Sequence, residues 1–294
     1  VIRRCVVVGG SGAVGALFAE RIRAAGARVS VVDPARPPAG RAGGGFAWVR
    51  GDVTAIDDRL AAELGHADLV VLAVPEQVAL AAVPGVGAAL RPDALLVDTL
   101  SVKQRFADAV RRHAPGVQAV GLNPMFAPSL GFEGRPVAAV VVGDGPRVAG
   151  LLDLVSSWGA RIVRVDDRAH DRLAGATQAL THAAVLAFGL ALARLDDVHP
   201  RDLLRVAPPP HRALLALVAR IACGTPEVYW DVQAANPEAP AARKALAESL
   251  ARLTDTVEGG TEEAFEDLVG ELRAHLGADL PRLGDTCAAL FEHL

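Results

Sequence analysis

Along the first half of the chain, short runs of apolar, largely β-branched residues alternate with stretches of helical period. Strands are predicted over residues 4–8, 28–32, 46–49, 69–74, 94–97, 117–121, 137–142 and 161–165. Helical patterns fall between most of them, as at 13–25, 77–90 and 103–113. Runs that stay apolar, rather than alternating with polar residues, belong to strands covered on both faces. Such strands interleaved with helices predict a mostly parallel sheet in an α/β domain. Beyond about residue 167 the period is helical throughout: 168–195, 200–206, 211–223, 226–235, 241–256, 261–276 and 280–294. Thr261, behind Gly259-Gly260 and ahead of Glu262-Glu263, has the hydroxyl and following acids of a helix start. The change of pattern predicts an α/β domain over 1–166 and an all-α domain over 167–294. Residues 34–45, rich in Pro, Gly and Arg, read as a mobile loop after the second strand.

Composition narrows the partners. Apolar residues make up 51% of the 294, enough for a sizeable core. The formal charge of −4, without a polybasic run, argues against nucleic acid and against an anionic membrane surface. No uninterrupted apolar run reaches about 18 residues, so no membrane span is expected. Val1-Ile2-Arg3-Arg4 leads directly into a strand, so no signal peptide is expected either. Cys5, Cys223 and Cys287 form no CxxC pair; they read as buried hydrophobes in a reducing cytoplasm, with no disulfide framework and no metal site.

Chemistry enters at Gly10-Ser11-Gly12-Ala13-Val14-Gly15. This G-x-G-x-x-G follows the first strand and opens a helix, the context that marks a Rossmann dinucleotide site. Gly10 is expected to permit the tight turn, Gly12 to let the backbone approach a pyrophosphate, and Gly15 to let helix and strand pack closely. Unpaired amides at the helix start then face the phosphates. The second strand ends at Asp33, 18 residues past Gly15, where a carboxylate accepts from the ribose hydroxyls and repels a 2′-phosphate. NAD is therefore the expected cofactor, with Arg36 the one feature favouring NADP. Val74 and Pro75, at the end of the fourth strand, are expected along the cofactor.

Three further segments break the plain fold pattern: Asp98-Thr99-Leu100-Ser101-Val102-Lys103 and Gly121-Leu122-Asn123-Pro124-Met125-Phe126-Ala127-Pro128, both at carboxyl ends of strands where such sheets bind ligands, and His170-Asp171, which opens the first long helix and leads to Gln178-Ala179-Leu180-Thr181-His182. At helical period Asp171, Gly175, Gln178 and His182 share a face, read as a cleft wall. With Arg212, Arg220, Pro226 and Tyr229, these motifs in this order resemble the prephenate dehydrogenase family, which includes arogenate and 4-amino-4-deoxyprephenate dehydrogenases. The resemblance covers nearly the whole chain. It implies a Rossmann domain followed by a helical domain that forms a homodimer, and oxidative decarboxylation of a small cyclohexadienyl substrate. By the resemblance Arg220 grips the ring carboxylate, Arg212 helps anchor the substrate, and His182 borders it. Ser101 hydrogen-bonds near the C4 substituent, and Gln178 and Lys103 belong to the substrate-binding set.

One position departs from the family pattern. The motif resembles G-L-H-P-M-F-G-P, but Asn123 stands where the histidine belongs, and Ala127 replaces the second glycine. By the resemblance that histidine takes the C4 hydroxyl proton as hydride leaves. An amide takes no proton at ordinary pH. The favoured reading is a substrate with an amine at C4, 4-amino-4-deoxyprephenate, whose own lone pair expels hydride. The alternatives are prephenate or arogenate with another group handling the proton, and, more remotely, an inactive NAD-binding regulator. Hydroxyacid dehydrogenases and imine reductases also pair a Rossmann domain with helices. The lysine that some of them place near the first helix of the second domain has no counterpart in 168–195.

Overall fold

The computed structural model describes residues 2–35, 45–196 and 199–293, and its contacts divide the chain into two compact units, Val1–Ala174 and Gly175–Leu294. Arg36 and most of the loop predicted at 34–45 lie outside the described residues.

The first unit is an eight-stranded sheet: β1 (Arg4–Val8), β2 (Arg28–Asp33), β3 (Ala47–Arg50), β4 (Leu69–Leu72), β5 (Leu95–Asp98), β6 (Gln118–Pro124), β7 (Pro136–Gly143) and β8 (Arg161–Arg164). Its spatial order is β3-β2-β1-β4-β5-β6-β7-β8, and every pairing is parallel except β6 with β7. The order reverses between β1 and β4, so a crevice opens outside the carboxyl ends of these strands, where α/β sheets take ligands. The continuously apolar strands have the cause anticipated. In β1, Cys5 and Val7 face one buried cluster with Phe18, Val31 and Phe132, while Val6 and Val8 face another with Leu60, Val83 and Phe106. Helices α1 (Ala13–Ala24), α2 (Asp58–Gly65), α3 (Glu76–Ala89), α4 (Gln104–His113), α5 (Pro146–Ser157) and α6 (Asp167–Ala174) complete this unit. One strand runs further than its apolar pattern. Antiparallel pairing with β7 carries β6 through Asn123, opposite Ala138, to Pro124.

The second unit opens with a π-helical turn at Gly175–Leu180 and continues through α7 (Thr181–Leu192), α8 (Pro200–Val206), α9 (Pro209–Ala222), α10 (Pro226–Ala235), α11 (Ala239–Gly259), α12 (Glu262–Leu276) and α13 (Leu280–Phe291). Pro stands in the first turn of α8, α9 and α10, where its missing N–H costs nothing. Thr261 caps α12 by accepting from the Ala264 N–H at 3.2 Å. Among the described residues this unit's buried cluster is only Ala179, Val232 and Ala239.

By its contacts the chain divides at Ala174/Gly175, because His170 and Asp171 bond to residues of the first unit. Two sequence expectations change. Cys5 is buried, and burial together with the nearby Asp68 charge pushes its thiol far above the ordinary range; Cys223 and Cys287 are exposed, on helices this chain leaves uncovered. Although no uninterrupted apolar run is long enough to span a membrane, Asp167–Leu192 is long and apolar enough by length and composition, with a window mean hydropathy of 1.3.

Candidate active site

The turn after β1 works slightly differently from its motif. The positive φ, +80°, falls on Gly9, where a Cβ would also lie 2.2 Å from the Ala73 carbonyl oxygen. Gly10 takes no such conformation; it is required because a Cβ there would lie 2.5 Å from Val31 Cγ1. The tight-turn role expected of Gly10 thus belongs to its neighbour. Gly15 brings α1 against the turn, since a Cβ there would sit 2.4 Å from the Gly9 carbonyl oxygen. Gly12 is the N-cap of α1 and supplies no side-chain cap. Gly12 and Ala13 are exposed and Val14 is half-buried, while the hydroxyl of Ser11 is buried without a hydrogen-bond partner among the described residues. Asp33, at the end of β2, accepts from Ser11 N–H at 3.2 Å and Ala35 N–H at 3.0 Å. A carboxylate has about four acceptor sites, so two remain for a ribose diol. Val74 is half-buried and Pro75, the N-cap of α3, is exposed at the same sheet edge. An uncapped helix start, an orphaned buried hydroxyl and a ribose-ready carboxylate together fit a dinucleotide.

Further along the same edge lies a buried polar network. Asn123 is 2% exposed, and its Nδ2 lies 3.1 Å from His170 Nε2. His170 Nδ1 lies 2.8 Å from Asp171 Oδ1. Asp171 also accepts from the backbone N–H groups of Lys103 (2.8 Å) and Gln104 (3.1 Å), and from Gln104 Nε2 (3.1 Å). Burial acts to raise the Asp171 carboxyl, but the hydrogen bonds from His170, Gln104 and Lys103 outweigh it and hold the carboxyl below its ordinary range. Lys103, expected to bind substrate, is placed elsewhere. It is 1% exposed, its ammonium pairs with the equally buried Asp98, and it donates to the Leu122 carbonyl at 3.3 Å. Burial pushes Asp98 up and Lys103 down against their mutual attraction. The pair therefore ties the end of β5 to the end of β6. Ser101, between them in sequence, is half-buried.

The remaining predicted residues belong to the second unit. His182 on α7 packs edge-on against Tyr229 on α10, ring centroids 5.0 Å apart. Its Nδ1 is buried without a hydrogen-bond partner among the described residues. Burial, then the positive charge of Arg220, holds the imidazole below its ordinary value, so it is a neutral acceptor or donor. Arg220 and Arg212 are exposed on α9, and Gln178 is half-buried in the π-helical turn. That turn breaks the 3.6 period on which the shared face was read. Asp171 and Gly175 are fully packed rather than lining a cleft; a Cβ at Gly175 would lie 2.7 Å from Glu238 Cβ.

Sequence reasoning missed the turn role of Gly9, the buried partner Asp98, and the tie of His170-Asp171 to Asn123. Asp98 had a legible signal, an acid closing a continuous apolar run with one of the chain's two lysines five residues on. The tie to Asn123 spans 47 residues and leaves no local pattern.

A Rossmann-type α/β unit followed by helices defines a class of two-unit, dinucleotide-binding proteins. Residues 18–163 match the prephenate dehydrogenase nucleotide-binding domain, and 166–274 match the prephenate dehydrogenase dimerization domain. Over its whole length the chain is 55% identical to a 4-amino-4-deoxyprephenate dehydrogenase of Streptomyces pristinaespiralis, covering 98% of that protein. It is 30% identical to the T-protein of Enterobacter agglomerans over 90% of this chain and 65% of that one. The prephenate dehydrogenase of A. aeolicus, solved with hydroxyphenyl propionate and NAD+, shares the fold with a TM-score of 0.75, 20% identity, and coverage of 97% and 98%. The chain belongs to the prephenate dehydrogenase family and is an oxidoreductase.

Proposed function

We propose that this protein oxidatively decarboxylates 4-amino-4-deoxyprephenate, giving 4-aminophenylpyruvate and CO2, as a cytoplasmic homodimer using NAD. The observation that carries the reading is Asn123, a buried amide at the carboxyl edge of the sheet where the family motif has a proton-accepting histidine. The full-length similarity to the Streptomyces enzyme of that name supports it. NAD, when bound, would supply the acceptor for the hydride that leaves C4. The C1 carboxylate leaves as CO2 and its bonding pair enters the ring, which becomes aromatic. A neutral amine ends as a neutral aniline, so no side chain has to remove a proton in the same step. Asn123 and Ser101 orient the C4 nitrogen, Arg220 binds the ring carboxylate through its two-point fork, and Arg212, Gln178 and His182 border the substrate. Asp33 holds the ribose diol, with Gly10, Gly12, Ala13, Val14 and Gly15 at the pyrophosphate and Val74 and Pro75 beside the cofactor.

Steady-state NADH formation with the amine substrate, prephenate and arogenate tests this, each with NAD and NADP. The amine substrate with NAD should give the highest kcat/KM, and Asn123→His should raise turnover of prephenate. Equal or better wild-type use of prephenate defeats the reading.

A further inference from the structure

The geometry points to His170 as a positioning residue that fixes which end of the Asn123 amide meets the substrate. The inference rests on the amine-substrate reading above. Asp171 offers only acceptor atoms to His170, so Nδ1 of the imidazole carries the hydrogen and donates across 2.8 Å. Nε2 faces the Asn123 amide nitrogen, which can only donate, so Nε2 presents a bare lone pair. Only the NH2 of Asn123 can satisfy that lone pair across 3.1 Å. The direction of the chain is thus set from one end, Asp171 to His170 to Asn123. Asp171 itself is held by three donors from Lys103 and Gln104 and is fully buried, so it is not free to turn.

The consequence falls on Oδ1. Among the described residues no side chain or backbone group donates to it. With the NH2 committed to His170, Asn123 presents the substrate with an acceptor. That polarity suits an amine at C4. An acceptor takes an N–H and leaves the nitrogen lone pair free to expel hydride as the C4–H bond breaks. A flipped amide would donate into that lone pair and withhold it from C4. As hydride leaves, the nitrogen takes up positive charge; the bonding pair released with CO2 enters the ring and returns it, so the amine begins and the aniline ends neutral with no proton lost. A hydroxyl at C4 also donates to Oδ1, but the amide cannot then accept its proton. His170 and Asp171 thereby contribute to the choice of nitrogen over oxygen without touching the substrate.

Two measurements on the full-length protein decide this. In 15N-histidine NMR, with the signal assigned by its loss in His170→Gln, His170 should show a protonated Nδ1 and an unprotonated Nε2. In kinetics, His170→Leu should lower kcat for the amine substrate about tenfold, the worth of one oriented hydrogen bond, and leave the KM for NAD unchanged. His170→Gln, whose carbonyl can still accept from Asn123, should recover most of the loss. A wild-type protein that prefers prephenate defeats the substrate reading. A protein that prefers the amine, but protonates His170 on Nε2 or is undiminished by His170→Leu, defeats the relay alone. Should His170→Leu fail to fold, the NMR result on the wild type decides.

Discussion

The two units treat their apolar residues in opposite ways. In the first, both sheet faces are covered by the chain's own helices, and even the buried ions Asp98 and Lys103 have each other. In the second, α11 runs for 21 residues with one buried, Ala239, and α12 and α13 have none. Among the described residues, every large hydrophobic residue that stands exposed, Leu130 and Leu173 apart, belongs to the second unit. Leu190 on α7 is 68% exposed, Trp230 on α10 67%, and Leu250 on α11 63%. Single exposed leucines are ordinary, but apolar exposure on this scale marks an interaction surface. Obligate dimer interfaces resemble a domain core cut in half, and the second unit has the composition of such a half. The same feature accounts for Cys223 and Cys287, read from the pattern as buried and found exposed, and for the span-like apolarity of Asp167–Leu192.

The comparison breaks most visibly if the second unit's surface is made polar. Leu190→Asp places a carboxylate where a partner should sit, and an unpaired buried charge costs several kcal/mol on each side of a twofold interface. Sedimentation equilibrium should show a dimer for the wild type and a monomer for the variant. Activity should fall more than about a hundredfold while the first unit keeps its circular-dichroism signature. A variant that stays dimeric with an unchanged melting temperature places the partner on another face.

The first unit should fail for a different reason, independent of protein concentration. Lys103→Met leaves Asp98 in the core with the Leu100 N–H but without its counter-ion, which costs about 3–5 kcal/mol; replacing both partners with apolar residues should recover much of this. Urea unfolding measures both variants. A loss below about 1 kcal/mol would mean that Asp98 takes up a proton at little cost once its partner is gone.

This contrast also sets what could be read from the sequence. The strands were legible because burial on both faces forces continuous apolar runs, and the glycine turn because sterics allow few alternatives there. Helix positions in the second unit were legible from their period, but what covers their apolar faces is not written in a single chain's periodicity. Asn123 stood out as a departure from the family motif and His170-Asp171 as a motif of its own, but their pairing was not legible, because the contact joins a strand end to a helix far along the chain. Lys103 was misplaced for a related reason: a motif records which residue is present, and only the fold shows that its ammonium turns inward to Asp98.

The smallest effect sharpens the electrostatics of the second unit. His182 is held below its ordinary value of 6.5 by burial and then by Arg220. A histidine depressed in this way refuses a proton that the unfolded chain accepts, so stability falls as pH drops below 6.5. Arg220→Gln removes the like charge and leaves the burial. The His182 titration, followed by NMR, should therefore move upward but stop short of 6.5, and the acid-side loss of stability should shrink. Any residual activity of this variant should show its acid limb at higher pH, because His182 then charges sooner. An unmoved titration would mean that solvent screens Arg220 from His182 and that burial alone keeps the imidazole neutral.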